Sequence, residues 1–185
     1  LFMLQRETYL DNLAGSEDLA AQLKSRQLSA LAQSLVRLGA AAVGIKLGDQ
    51  GMLLRTSKDK VRWQALANIL SLDARQWINR EILPPAFQAN LVGTTGAGDC
   101  TNAGLLTAML KGLPPERALT MAAAVGGCNV EAADAVRGIP AWDDVVARVD
   151  AGWDYLHTRM RLRGWGWESA KGIWFGPADR GGLWV

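Results

Sequence analysis

The stretch Val92–Leu106, VGTTGAGDCTNAGLL, places four glycines and a single acid at the mouth of a run of small residues. The apolar residues of "AFQANLV" lead into it. Beyond Ala97, the residues Cys100, Ala103, Gly104, Thr107 and Ala108 recur at helical spacing. The pattern reads as strand, glycine turn, helix. The first backbone N–H groups of a helix have no partner within it, and with the helix dipole they form an anion site. Glycine lets the backbone approach a phosphate with no Cβ in the way. Asp99 is the odd element in this setting. An acid in a first helical turn is often only a dipole-stabilising residue. Beside a phosphate cradle, however, a carboxylate is repelled unless it has a task. The fitting task is to accept a proton from a hydroxyl attacking a γ-phosphorus while the N–H groups hold the developing charge. No Lys-Ser/Thr follows the glycines, so the loop is not a Walker A sequence. No acid about 20 residues further on supports a dinucleotide fingerprint either.

Working outward, residues 1–13 carry helical spacing, and Ser16 is a good N-cap with Glu17 and Asp18 in the following turn. An apolar stripe from Leu19 to Leu38 predicts a helix that ends at Gly39. "AAAVGIK", "LGDQG" and "MLLR" then read as strand, glycine turn and strand, which points to an α/β sheet. Residues 57–70 are ambiguous, and "KVRWQAL" reads as a possible strand. Residues 71–81 look helical until Pro84-Pro85, with Asp73 and Glu81 on a solvated face, and "AFQANLV" is the next strand. The small face of the helix from Ala97 is expected to lie close against the sheet. After Gly112, Pro114 or Pro115 opens an Ala-rich helix to about Ala133, and a shorter helix begins near Ala141. The tail from Gly152 holds five of the eight tryptophans. It reads as an irregular segment anchored over the domain by its aromatics, or as a subunit interface.

Composition bounds the class. The chain has 185 residues, 49% of them apolar and 21% charged, with a net charge of +2. That is enough chain for one globular domain, or a large part of one, with a real core. A nearly neutral balance with no Lys/Arg block does not imply nucleic acid. No run approaches the roughly 18 apolar residues that a membrane crossing needs. Cys100 and Cys128 sit among small apolar residues without metal-ligand spacing, which predicts buried reduced thiols and a cytoplasmic protein. The start lacks both the basic segment of a signal peptide and an initiator Met, so a fragment is expected.

With these residues on the page, "TTGAGD" before a small-residue helix resembles the C-terminal signature of the PfkB/ribokinase family of sugar and nucleoside kinases. "VGIKLGDQGMLL" resembles that family's strand–turn–strand beside the nucleotide. "VEAADAVRGIP" resembles the segment next to the adenine pocket and the monovalent-cation loop. The resemblance spans about residues 16–150 and implies a ribokinase-like three-layer α/β/α sandwich, represented by its C-terminal nucleotide-binding portion. It also implies a division into a kinase part, 1–150, and a Trp/Gly-rich extension, 151–185. Carried over by position, Asp99 is the catalytic base, and Gly96, Ala97 and Gly98 supply the anion hole. Lys46, Gly48 and Gly51 border the nucleotide. Thr95 lies near both nucleotide and cation, and the turn from Ala132 to Asp134 lies near the cation. The implied cofactors are ATP and Mg2+, with K+ as a monovalent activator, and the implied partner is a small sugar or nucleoside acceptor.

Two departures qualify the transfer. Gly93 stands where many members carry an Asp that helps hold potassium, and Asp134, on the facing loop, is the candidate to supply that charge. The N-terminal half that carries the sugar pocket, lid and magnesium-organising motif of the family is not present. Little or no activity is therefore expected of this chain alone. A nucleotide-binding or structural remnant without catalysis is the alternative reading, and a dinucleotide-dependent enzyme a weaker third. His157 reads as a surface or packing residue. A homodimer through the sheet edge or the Trp tail stays open.

Overall fold

The computed structural model describes residues 24–181. The expected helix over 1–13, the Ser16 cap, Leu19, Leu23 and Trp184 lie outside them. The elements run in the order α1 (Ser25–Arg37), β1 (Ala42–Lys46), a 3-10 turn (Gly48–Gln50), β2 (Met52–Thr56), α2 (Lys60–Leu70), α3 (Ala74–Trp77) and β3 (Glu81–Leu83). They continue through α4 (Ala97–Leu110), α5 (Pro115–Asn129), α6 (Trp142–Asp150), β4 (Gly166–Glu168) and β5 (Ile173–Phe175). The strands form one sheet in the order β1-β2-β3-β5-β4, and every neighbouring pair is antiparallel.

Alternation along β2 and β3 divides the core. Met52, Leu54 and Ile82 face a cluster with Trp63, Trp77, α4, α5 and Ile173. Leu53 and Leu83 point the other way, into a cluster with Leu28, Ala32, Val36, Met160 and Trp165. Helices therefore cover both faces, which makes the α/β/α layering. Strand β3 is only three residues long and pairs with β2 through Leu54–Ile82 and Arg55–Glu81. Its stability comes from burial: Ile82 and Leu83 are fully enclosed, and each such side chain contributes about 1.5–3 kcal/mol.

Several expectations are corrected. Residues 60–70 are helix, because Asp59 Oδ1 caps the first turn by accepting from Arg62 N at 3.0 Å. Trp63 and Ala67, four apart, face the core. The expected helix over 71–81 is one short turn, α3, followed by Asn79 at φ 55° and then β3. Glu81 is thus 1% exposed in a central strand, with Oε2 accepting from Ala178 N at 2.9 Å. The expected strand over 86–92 is absent, since the strand precedes Pro84-Pro85 and only Phe87 forms a bridge, to Tyr155. Helix α1 begins at Ser25, after extended Lys24, and α5 ends at Asn129. The small face of α4 packs along α5: a Cβ on Gly104 would come within 3.0 Å of Val125 Cβ.

The tail is built into the sheet. Ile82 pairs with Phe175 and Leu83 with Trp174, and β4 extends the edge. Arg80, 3% exposed in its side chain, ties this region together. Nε donates to Asp179 Oδ2 at 3.0 Å, Nη2 to Glu116 Oε1 at 2.6 Å and Nη1 to Gln76 O at 2.8 Å.

Candidate active site

Three pieces of chain converge at the C-terminal end of β1. The first is the hairpin between β1 and β2. Leu47 N donates to Gly51 O at 2.9 Å, closing the turn. Gly51 sits at φ 91°, and a Cβ there would lie 2.0 Å from Pro84 O. Only glycine fits, because both the backbone conformation and the space forbid a side chain. The second piece is the loop into α4. Gly96 is its N-cap at φ 80°, and a Cβ would meet Ala135 O at 2.6 Å. Ala97 N donates to Thr94 O at 3.2 Å and Cys100 N to Gly96 O at 2.8 Å. The amides of Gly98 and Asp99 between them find no backbone acceptor among the described residues. The third piece is the end of α5 with its following loop. Val130 O accepts from Val92 N at 2.8 Å and Gly93 N at 3.2 Å. Ala135 O accepts from Asn129 Nδ2 at 2.7 Å.

Between these pieces lies a cleft of about 460 Å³. Lys46, Gly48 and Gly51 line one side, and Thr94, Ala97, Gly98 and Thr101 another. Apolar groups from Ala123, Val130, Phe87 and Leu156 complete it. Lys46 reaches across from β1, its Nζ donating to Gly98 O at 3.0 Å. That ammonium puts a positive charge over the first turn of α4, beside the two amides without acceptors. Asp99 is exposed at this same turn.

The structure therefore brings Lys46, Gly48, Gly51, Ala97 and Gly98 to one cleft, with Asp99 and Gly96 on the same turn. Thr95 is exposed in the loop and does not line the cleft. Asp134 also stands apart from the lining: its Oδ1 accepts from Val136 N at 2.9 Å and Arg137 N at 3.2 Å, so the carboxylate caps its own turn. His157 is exposed beside Trp167 and Trp174 in a separate groove. Among the described residues, no group of three His, Cys, Asp or Glu could hold a metal ion. Both cysteines are free and buried. Burial pushes the Cys100 thiol up, with the Asp99 charge adding to it, and burial does the same to Cys128, so both stay protonated. No helix among the described residues is long and apolar enough to cross a membrane.

The reading of the residues missed the contribution of Phe87, Thr101, Val130 and Leu156. Thr101 follows from the helical phase of Ala97, four residues earlier, whose carbonyl its Oγ1 meets at 2.8 Å. Nothing local to Leu156 marks it, because its position depends on the tail reaching back to Ala86 O, to which Leu156 N donates at 2.8 Å.

Comparison with known proteins places the sequence and the fold among carbohydrate and nucleoside kinases by similarity. Residues 78–142 match the family model "pfkB family carbohydrate kinase". A nucleoside kinase of Methanocaldococcus jannaschii is 36% identical over 73 residues, which cover 39% of this chain and 24% of that protein. The structure of Arabidopsis thaliana ribokinase complexed with ribose and ATP aligns with a TM-score of 0.54 at 25% identity, covering 68% of this chain and 34% of that one. A putative sugar kinase of Clostridium perfringens shares the fold, with a TM-score of 0.56 at 18% identity over 72% of this chain and 36% of that one. The chain thus spans about a quarter to a third of the length of these relatives. Over residues 78–142, then, the chain matches the model of the pfkB family of carbohydrate kinases, and its fold is similar to that of ribokinase.

Proposed function

We propose that this chain is the nucleotide-binding part of an ATP-dependent kinase that phosphorylates a hydroxyl of a sugar or nucleoside. The observation that carries the reading is the first turn of α4. It combines two amides without acceptors, an adjacent lysine ammonium and an exposed carboxylate at the edge of a cleft of about 460 Å³. The apolar walls from Ala123, Val130 and Leu156 suit a base, and the Gly96–Asp99 turn suits phosphates. Bound ATP would supply the transferable phosphoryl group.

In this reading Asp99 accepts the proton of the acceptor hydroxyl as its oxygen bonds to the γ-phosphorus of ATP, while the bond from that phosphorus to the β-phosphate oxygen breaks and ADP leaves. The amides of Gly98 and Asp99 hold the negative charge that develops, already oriented and needing no reorganisation. Lys46 adds a fixed positive charge and, through Gly98 O, keeps the turn in place. Mg2+ would accompany the nucleotide's phosphates. For K+, the carbonyl-lined junction of loops 93–96 and 132–135 is the candidate place, with Asp134 supplying charge only by giving up its own turn. The acceptor pocket would come from the remainder of a longer polypeptide in the cytoplasm.

The test is phosphate transfer from magnesium-ATP to a panel of sugars and nucleosides, with the complete polypeptide and its Asp99→Asn variant, alongside ATP binding to both. Transfer to an acceptor that falls by about 10²–10⁴-fold in the variant, with ATP affinity kept, is the expected result. ATP binding with no transfer to any acceptor would leave a nucleotide-binding chain without catalysis. Failure to bind ATP would overturn the reading.

A further inference from the structure

The tail does more than extend the sheet. From the end of α6 it turns back along residues 86–88, of which Ala86 and Phe87 line the cleft. Trp153 Nε1 donates to Gln88 O at 2.5 Å, Gln88 N to Asp154 O at 2.8 Å and Leu156 N to Ala86 O at 2.8 Å. Phe87 stacks between Trp153 and Tyr155, with ring centroids 4.6 Å from each. Arg148 covers the outer face of Trp153 at 3.4 Å and pairs with Glu131 through two hydrogen bonds of 2.6 and 2.8 Å. Carried this way, the chain delivers Leu156 into the cleft wall and Arg159 to the β1–β2 turn. There Arg159 N donates to Gln50 Oε1 at 2.7 Å, and its guanidinium grips Asp49 with bonds of 2.7 and 3.2 Å. Gln50 Nε2 donates to Asp49 Oδ1 at 2.9 Å, and Gln50 is only 1% exposed.

We propose that residues 153–159 form a strap that completes the nucleotide cleft. Leu156 supplies part of its wall, and Arg159, acting through Asp49 and Gln50, holds the Gly48–Gln50 turn at its mouth. The nucleotide as ligand rests on the proposed function; the clamp on the turn does not. The Arg159–Asp49 pair joins residues 110 apart in the chain, and the Trp153–Gln88 bond joins residues 65 apart. The turn is closed by its own backbone bonds, Leu47 N to Gly51 O at 2.9 Å and Gln50 N to Leu47 O at 3.1 Å, and the Arg159–Asp49 pair adds a tether from outside it. Loop geometry at a ligand's edge sets affinity by how much ordering remains to be done on binding. Arg159 is accordingly a positioning residue, acting on the site through Asp49 and Gln50.

The experiment compares the parent chain with Arg159→Ala, Asp49→Arg, Arg159→Asp and the exchanged pair Asp49→Arg/Arg159→Asp. Two readouts are taken. One is amide hydrogen exchange without ligand, and the other is the Kd of a fluorescent ATP analogue with Mg2+. The Arg159 and Asp49 side chains are 47% and 46% exposed, so the substitutions do not threaten the core. In the single variants, exchange at Gln50 and Gly51 should speed up by about two- to fivefold while Leu54 and Ile82 are unchanged, the range expected for an exposed ion pair. The Kd should rise by a similar factor, and the exchanged pair should recover both. Unchanged exchange at the turn in Arg159→Ala overturns the strap, whatever the ligand does. Faster exchange with an unchanged Kd overturns its role at the site. If the parent binds no ATP analogue, the nucleotide reading of the cleft fails together with the strap's effect on affinity, while the exchange data alone decide the clamp.

Discussion

Replacing Arg80 by Ala is the most informative single perturbation of this fold. Its guanidinium is 3% exposed and holds two carboxylates, Glu116 on the first turn of α5 and Asp179 near the end of the described tail. Desolvation pushes the Glu116 carboxyl up, but the Arg80 hydrogen bond and charge outweigh it, and the net pKa is lowered. Asp179 is 8% exposed in its side chain and also accepts from Glu81 N at 2.9 Å. Loss of the guanidinium leaves Glu116 with Lys171 Nζ at 3.9 Å, leaves Asp179 with the amides of Glu81 and Gly181, and frees the Gln76 carbonyl. Removing one partner of a buried pair costs about 3–5 kcal/mol because the charge left behind is uncompensated. Urea unfolding followed by tryptophan fluorescence should therefore show Arg80→Ala less stable by that amount at pH 7. The sign of the pH dependence follows from Glu116. A depressed folded-state pKa contributes stability above the unfolded value of about 4.3 and loses it as pH falls through the folded value. The penalty of the variant should accordingly shrink as the pH is lowered below about 4.5, because protonated Glu116 needs no partner. A loss under about 1 kcal/mol at pH 7, or one that does not change with acid, would refute the view that this cluster fastens the tail to the body.

The remaining predictions concern the site and its supports. Gly96→Ala forces a side chain into the left-handed region and against Ala135 O, so thermal unfolding should show a loss of about 1–3 kcal/mol, and ATP binding should weaken with it. Gly104→Val overpacks the α4–α5 contact at Val125 and should cost about 1–3 kcal/mol by the same measurement. The Glu131 carboxyl is held below its ordinary range by the Arg148 hydrogen bonds. Its contribution should be present at neutral pH and disappear as the pH falls through that lowered value, and an acid titration of Tm should lose this step in Glu131→Gln.

The residues alone determined a good part of this protein. The glycine–acid loop, the helix behind it and the strand–turn–strand at 42–56 are local patterns, since turn chemistry and helical period are written within a few neighbouring residues. Lys46, Gly48, Gly51, Ala97 and Gly98 are named through the family resemblance that these local patterns carry, and the fold brings them to one cleft. Other features had no local signature. Strand β3 is three residues long, too short for any period to show, and exists because β2 and β5 flank it and both of its faces are buried. The helix at 60–70 competed with a strand reading, which the Asp59 cap and the packing of Trp63 against Trp77 settle together. The tail's tryptophans announced burial but not where. That the chain returns to pair with β3, to put Leu156 in the cleft and to grip Asp49 depends on contacts across 65 to 110 residues, which no window of sequence contains and only the closed core selects.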